Sequence, residues 1–147
     1  MIHMETSRKV FAYITRGEEN NRELLVFEYK GEPEVGLQVP GGTIGEGELL
    51  IDALYREVKE ETGLPRDVLE FVGKIHKYNY YPAHKDKAYE RNIFHFEYTG
   101  EKIDEFEHTI KSEGRDNGLI VQYRWEPIEG LPKLAADQDE AIELLEY

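Results

Sequence analysis

The stretch Gly42-Thr43-Ile44-Gly45-Glu46-Gly47-Glu48-Leu49-Leu50-Ile51-Asp52-Ala53-Leu54-Tyr55-Arg56-Glu57-Val58-Lys59-Glu60-Glu61-Thr62-Gly63-Leu64 decides how the rest of the chain is read. Residues 41–47 hold four glycines. Such a segment must turn sharply or bring its backbone close to something else. The pattern over 49–62 is helical. Gly63 stands in the position that ends a helix with a left-handed residue, and Pro65 blocks any continuation. The helix start is poorly marked, because Leu49 stands where a Ser, Thr or Asp cap is expected.

Within this helix Glu57, Glu60 and Glu61 share about one third of the circumference. They border the apolar stripe of Leu50, Ile51, Leu54 and Val58, while Asp52 and Lys59 fall on the opposite, solvent side. A solvated acidic face would put its carboxylates on that far side. Three carboxylates at the edge of a core repel one another unless a cation neutralises them. Oxygen ligands without His or Cys select magnesium or manganese rather than zinc or copper. A glycine loop just before the helix lets backbone groups reach the same cation and a phosphate. The residues alone therefore point to metal-assisted phosphate chemistry.

Around this centre lies a chain of 147 residues, which suits one compact domain spanning 1–147. Runs at 10–14 and 24–29, joined by a polar stretch, read as a β-hairpin. A short strand is expected at 37–39, stopped by Pro40, and longer strands at 71–81, 89–98 and 120–125. A closing amphipathic helix is expected over 137–145. This order implies an α/β sandwich with a mixed β-sheet between helices.

Net charge is −13, which disfavours a duplex nucleic acid as partner. No apolar run is long enough for a membrane span, so no membrane association is expected. The chain has no cysteine, which excludes disulfides and thiolate chemistry and agrees with a cytoplasmic location. Nothing in the composition opposes a homodimer.

Residues 42–64 resemble the Nudix box at every fixed position. Gly42 is followed after five residues by Glu48, and after seven more by Arg56-Glu57-Val58-Lys59-Glu60-Glu61-Thr62-Gly63-Leu64. The residues 37–42 before it and Tyr123-Arg124-Trp125 with Pro127-Ile128 after it are similar to flanking parts of that family. The resemblance implies a Nudix-like fold. It also implies hydrolysis of a nucleoside diphosphate linked to a second moiety, giving a nucleoside monophosphate and a phosphorylated product. It makes Glu57, Glu60 and Glu61 metal ligands, with the Gly41 carbonyl as a further one. Arg56 would orient a box glutamate and Glu48 would be a structural partner. Gly42 would shape the loop, and Gly63 would end the helix.

One departure concerns the base. Many relatives carry an extra glutamate where this chain has Leu119, and Gln122 holds another position that is often acidic. Glu57 itself, Glu113 and Asp116 are the alternatives.

On the substrate side, residues 74–91 carry Lys74, Lys77, Lys85, Lys87 and Arg91 against Asp86 and Glu90, with Tyr78, Tyr80, Tyr81 and Tyr89 interleaved. Basic groups meet phosphates and aromatic faces stack on bases. Tyr80, Tyr81, Lys85 and Arg91 are therefore candidate substrate-binding residues. Strand alternation allows only one of the two adjacent tyrosines to face the site, leaving the other for the core. His76, His84 and His95 read as packing or solvent-facing residues rather than catalysts. In the family, a tyrosine at this distance accompanies diadenosine-polyphosphate hydrolases and a proline accompanies ADP-ribose hydrolases, so the tyrosine favours nucleoside or dinucleoside polyphosphates as substrates. This chain has both, as Tyr80-Tyr81-Pro82, and the tyrosine spacing fits better. An ADP-ribose or nucleotide-sugar pyrophosphatase is the alternative enzyme. A non-catalytic nucleotide sensor on the same fold is the alternative of another class, and it is disfavoured because the box is intact. An isomerase of this fold would need a catalytic cysteine, and a di-iron bundle would need paired Glu-x-x-His motifs.

Overall fold

Strand β1 (Glu5–Arg16) organises the molecule because both of its faces are buried. Val10, Ala12 and Ile14 point to one side and Tyr13 to the other, and each joins a different apolar cluster. The same split runs through β2 (Glu23–Tyr29): Leu25 and Phe27 enter the first cluster, Leu24 and Val26 the second. In the computed structural model, which describes residues 5–83 and 85–145, β1 and β2 are neighbours in one mixed sheet. The other elements are β3 (Gly41–Thr43), helix α1 (Leu50–Thr62), β4 (Leu69–Tyr80), β5 (Lys87–Tyr98), β6 (Glu105–Thr109) and β7 (Ile120–Pro127). The strand order is β4-β5-β1-β2-β7-β6, with β3 added to β1. Among the described residues, only the β1–β5 pair is parallel.

The expected hairpin forms, but β1 and β2 pair directly only at Thr15–Leu24 and Arg16–Glu23. Beyond that they diverge, and the chain from 38 to 43 wedges between them. Gln38 exchanges backbone hydrogen bonds with Phe27, and Ala12 donates to the Pro40 carbonyl. β3 then pairs with residues 9–11 of β1. This corrects the sequence expectation twice. The segment 37–39 contributes one isolated bridge rather than a strand, and part of the glycine run expected as loop is paired. Register explains both, because the splayed strands leave a gap that only a short third strand can fill.

Helix α1 packs Ala53, Leu54 and Val58 against the first cluster, with Leu50 and Ile51 half-buried beside them and Asp52 and Lys59 exposed. Leu49 is its N-cap and makes no side-chain cap bond. Gly63, at φ 78°, closes it by donating to Lys59 O.

The opposite face is covered by the C-terminal segment, but not by the expected helix over 137–145. That segment forms 3₁₀ turns at Ala135–Asp137 and Ile142–Leu144, with Ala136 and Asp137 at positive φ. The buried Tyr13 hydroxyl donates to Gln138 O at 2.5 Å and accepts from Ala141 N at 3.3 Å. Those are groups an α-helix would bond within itself, so a tertiary contact replaces the helical ladder. Strand β6 was not expected from sequence. Its Glu-Phe-Glu-His-Thr composition suits a charged edge, and two inward residues anchor it: Phe106 stacks on Tyr123 at 4.8 Å, and His108 Nε2 lies 2.9 Å from Glu60 O. Among the described residues, no helix is long and apolar enough to cross a membrane.

Candidate active site

The gap between β1 and β2 opens into a cleft of about 1210 Å³. Its floor is the glutamate face of α1 and the backbone of residues 41–43. Its outer lip is the loop 110–119 between β6 and β7. Glu57, Glu60 and Glu61 line it together with Gly41, Gly42, Glu48 and Arg56, and so do both loop acids, Glu113 and Asp116.

Glu57 and Glu61 are buried, at 8% and 6% exposure. Burial pushes the Glu57 carboxyl up to about 7 against the opposing pull of Arg56. Burial and the neighbouring Asp116 push Glu61 up to about 9. A Cβ at Gly42 would fall on the Glu57 carboxylate, which would have to swing away from its place beside Arg56. Glycine lets the loop lie against that carboxylate without displacing it.

Arg56 is the hub. It grips Glu48 with two bonds, Nε and Nη2 each at 2.8 Å. Its Nη1 donates to Glu57 at 2.8 Å and to Glu60 at 3.2 Å, and Nη2 also donates to Thr43 O at 3.1 Å. Glu48 in turn accepts from Gly45 N–H at 2.8 Å, and Arg56 holds its carboxyl down to about 2. One guanidinium thus ties the glycine loop, the start of α1 and two box glutamates into a single geometry.

The donor set fits a hard divalent cation. Glu61 Oε2 is buried without a hydrogen-bond partner, and a cation would satisfy it and hold both buried carboxyls ionised. The Gly41 carbonyl suits the same purpose. Ala12–Pro40 and Arg8–Ile44 are bonded positions of the β1–β3 ladder. By alternation the Gly41 and Thr43 peptides point away from β1, as Thr43 O does toward Arg56. Among the described residues, no three acidic or histidine side chains already converge on one point. Arg56 Nη1 bonds Glu57 and Glu60 instead.

The loop 110–119 is pinned over the helix end. Lys111 N–H reaches Glu60 O at 3.4 Å, Ser112 Oγ donates to Asp116 Oδ1 at 2.5 Å, and Ser112 N–H donates to Asn117 Oδ1 at 3.1 Å. Asp116 is half-buried beside Glu61, whereas Glu113 is exposed at the lip.

The segment 74–91 lies elsewhere. Tyr80, Tyr81, Lys85 and Arg91 do not line the cleft. Arg91 is buried and donates to Ala136 O at 2.6 Å, so it holds the C-terminal segment. It stacks on Tyr80 at 3.8 Å and lies 5.2 Å from Phe11, a cleft residue, so this pair stands one layer behind the wall. Tyr81 follows β4 and is 60% exposed, so neither tyrosine is in the core or the cleft. Lys85 is exposed. Lys74 bonds Asn92 and Lys77 pairs with Glu90, which absorbs part of the local positive charge. His95 is buried against Thr15 at 2.8 Å, His76 is exposed and stacks on Tyr78, and His84 lies outside the described residues.

Sequence reasoning missed the cleft wall formed by Lys9, Phe11, Phe27, Tyr29, Gln38 and Gln138. Lys9, Phe11, Phe27 and Tyr29 sit on β1 and β2, Gln38 on the wedge between them and Gln138 in the C-terminal segment, and nothing in their local sequence marks which face they present. It also missed Lys111 and Arg115 on the lip.

A family model for the NUDIX domain matches residues 6–145. RNA pyrophosphohydrolases of Cereibacter sphaeroides are 45% identical over 56 residues, covering 37% of this chain and 35% of theirs. The match therefore spans about a third of those relatives' length. The crystal structure of a MutT NUDIX hydrolase from Burkholderia pseudomallei superposes with a TM-score of 0.69 at 18% identity, covering 97% of this chain and 99% of the other. A C. elegans Ap4A hydrolase binary complex gives a TM-score of 0.66 at 19% identity, covering 94% and 91%. At these identities the structural likeness speaks for the fold.

Proposed function

The chain belongs to the Nudix hydrolase family, and from that premise we propose that it hydrolyses a pyrophosphate bond in a nucleoside diphosphate linked to a second moiety. The products are a nucleoside monophosphate and the phosphorylated second moiety. The observation that carries this reading is the pair of buried carboxyls, Glu57 and Glu61, on the cleft floor, one of them with an unpartnered oxygen. Such a pair is costly unless a cation and a phosphate complete it.

Glu57, Glu60, Glu61 and the Gly41 carbonyl are the groups that would hold magnesium, or manganese in its place. When bound, the cation polarises the phosphoryl group and makes water more acidic. The chain's own residues do the positioning. Arg56, locked by Glu48, gathers Glu57 and Glu60 on the cleft floor and offsets their mutual repulsion, so that only their carboxyl groups have to turn to meet a cation. Asp116 is the better placed of the two loop acids to accept the proton of the attacking water, because it faces Glu61 while Glu113 is on the lip. Water oxygen bonds to phosphorus, the bond to the bridging oxygen breaks, and the water proton passes to the carboxylate.

The substrates best supported are nucleoside or dinucleoside polyphosphates. The support is a cleft of about 1210 Å³, larger than the ~300–1,000 Å³ usual for small ligands; the tyrosine spacing after the box remains a likeness in sequence, because Tyr80 and Tyr81 stand outside the cleft. The test is a hydrolysis screen with magnesium against dinucleoside polyphosphates, nucleoside triphosphates, ADP-ribose and nucleotide sugars, with products identified. Monophosphate release that stops in EDTA is expected. Full turnover in EDTA, or no turnover on any of these, would overturn the reading.

A further inference from the structure

We infer that Lys111 and Arg115, on the lip loop 110–119, form a subsite for a phosphate beyond the cleaved pyrophosphate, and so set a preference for polyphosphates over diphosphate-linked substrates. The inference rests on the hydrolase reading above and goes further, to which substrates the cleft favours.

Among the described residues, four basic side chains line the cleft, and two of them are already committed. Arg56 is spent on Glu48, Glu57 and Glu60. Lys9 donates to Thr43 Oγ1 at 2.6 Å and lies over the Tyr89 ring at 5.2 Å, and burial lowers its pKa. Among the described residues, the side chains of Lys111 and Arg115 have no hydrogen-bond or ion-pair partner, and both are exposed at the cleft mouth. Their loop is not free to swing away, because backbone and Ser112 bonds pin it to the end of α1 and across its own turn.

The two phosphates flanking the cleaved bond belong at the carboxylate floor, where the cation-binding groups sit. A third phosphate extends toward the mouth. In a chain with net charge −13 it meets a repulsive field unless local cations offset it. Arg115 offers a planar donor fork and Lys111 a point charge, a suitable pair for a terminal phosphate. The acids of the same loop do not cancel them. Asp116 is turned inward to Ser112 and Glu61, and Glu113 pairs with neither cation within salt-bridge distance.

The experiment measures binding of α,β-methylene-ATP and α,β-methylene-ADP by calorimetry in magnesium, for the full chain and for Lys111→Ala, Arg115→Ala and the double variant. These analogues resist cleavage at the relevant bond, so binding is read apart from turnover. Removing one charge-assisted contact should weaken the triphosphate analogue roughly tenfold, and the double variant should weaken it by more. The diphosphate analogue should weaken by no more than about threefold, through the lost general field alone. The triphosphate preference should also fall as salt rises in the wild type, and do so less in the double variant. Equal weakening of both analogues, or none, overturns the subsite. If the wild-type protein binds neither analogue, the nucleotide reading itself fails, and this inference falls with it.

Discussion

Glu61→Gln should stabilise the metal-free protein, and it should do so more strongly as pH rises. In the fold Glu61 is pushed up to about 9, against 4.5 for an ordinary glutamate. Between those values the folded protein holds a proton that the unfolded chain releases. Stability is therefore fully present below about 4.5 and is lost as pH rises through about 9. At pH 7 the gap of about 2.5 units corresponds to about 3 kcal/mol at 1.36 kcal/mol per unit. Glu57, pushed up to about 7, titrates against Glu61, and the two share the effect. The expected loss for the metal-free wild type between pH 5 and pH 8 is therefore about 2–4 kcal/mol. Glutamine keeps the shape and cannot ionise, so the variant should lose markedly less over the same range. Urea unfolding in EDTA, followed by the fluorescence of the buried Trp125, measures both slopes. Magnesium should restore the wild type at pH 8 and help the variant little. Equal wild-type stability at pH 5 and pH 8, or a variant no more stable than wild type at pH 8, would refute the picture of two crowded, buried carboxyls.

Arg56→Lys keeps the charge but loses the fork that holds Glu48 while reaching Glu57 and Glu60. Turnover should fall by an order of magnitude or more, and wild-type kinetics would show that geometry is not used there. Gly42→Ala places a methyl group on the Glu57 carboxylate. It should lower activity and cost about 1–3 kcal/mol in chemical denaturation, and a neutral result would mean the loop yields freely. Tyr13→Phe removes the hydroxyl bridging Gln138 O and Ala141 N. A loss of about 1–3 kcal/mol is expected with the cleft chemistry intact, and an unchanged midpoint would show that the C-terminal turns hold without it.

Much of the chemistry was legible in the chain because it is written locally. Glu57, Glu60 and Glu61 share a face through helical period alone. Gly63 ends the helix through its own φ. No long-range information is needed for such features. The substrate side was read less well for the opposite reason. Residues 74–91 looked like a binding wall by composition, yet Arg91 is drawn inward to Ala136 O, and Lys74 and Lys77 are paired with groups on β5. A charge in sequence carries no record of which partner will neutralise it.

Three features were decided only in three dimensions. The wedge of residues 38–43 exists because β1 and β2 separate after two residue pairs, a matter of sheet geometry that local propensity does not encode. The segment after Leu134 has the amphipathic pattern of a helix, but the buried Tyr13 hydroxyl, 125 residues away from Gln138, takes over its backbone groups. Asp116, Lys111 and Arg115 reach the cleft because β6 and β7 are joined over the C-terminal end of α1, with Lys111 N–H bonded to Glu60 O. The local period of the chain thus set where the acids stand on their helix. Pairing between distant strands set what faces them, because hydrogen-bond registry and burial act between residues that the sequence keeps far apart.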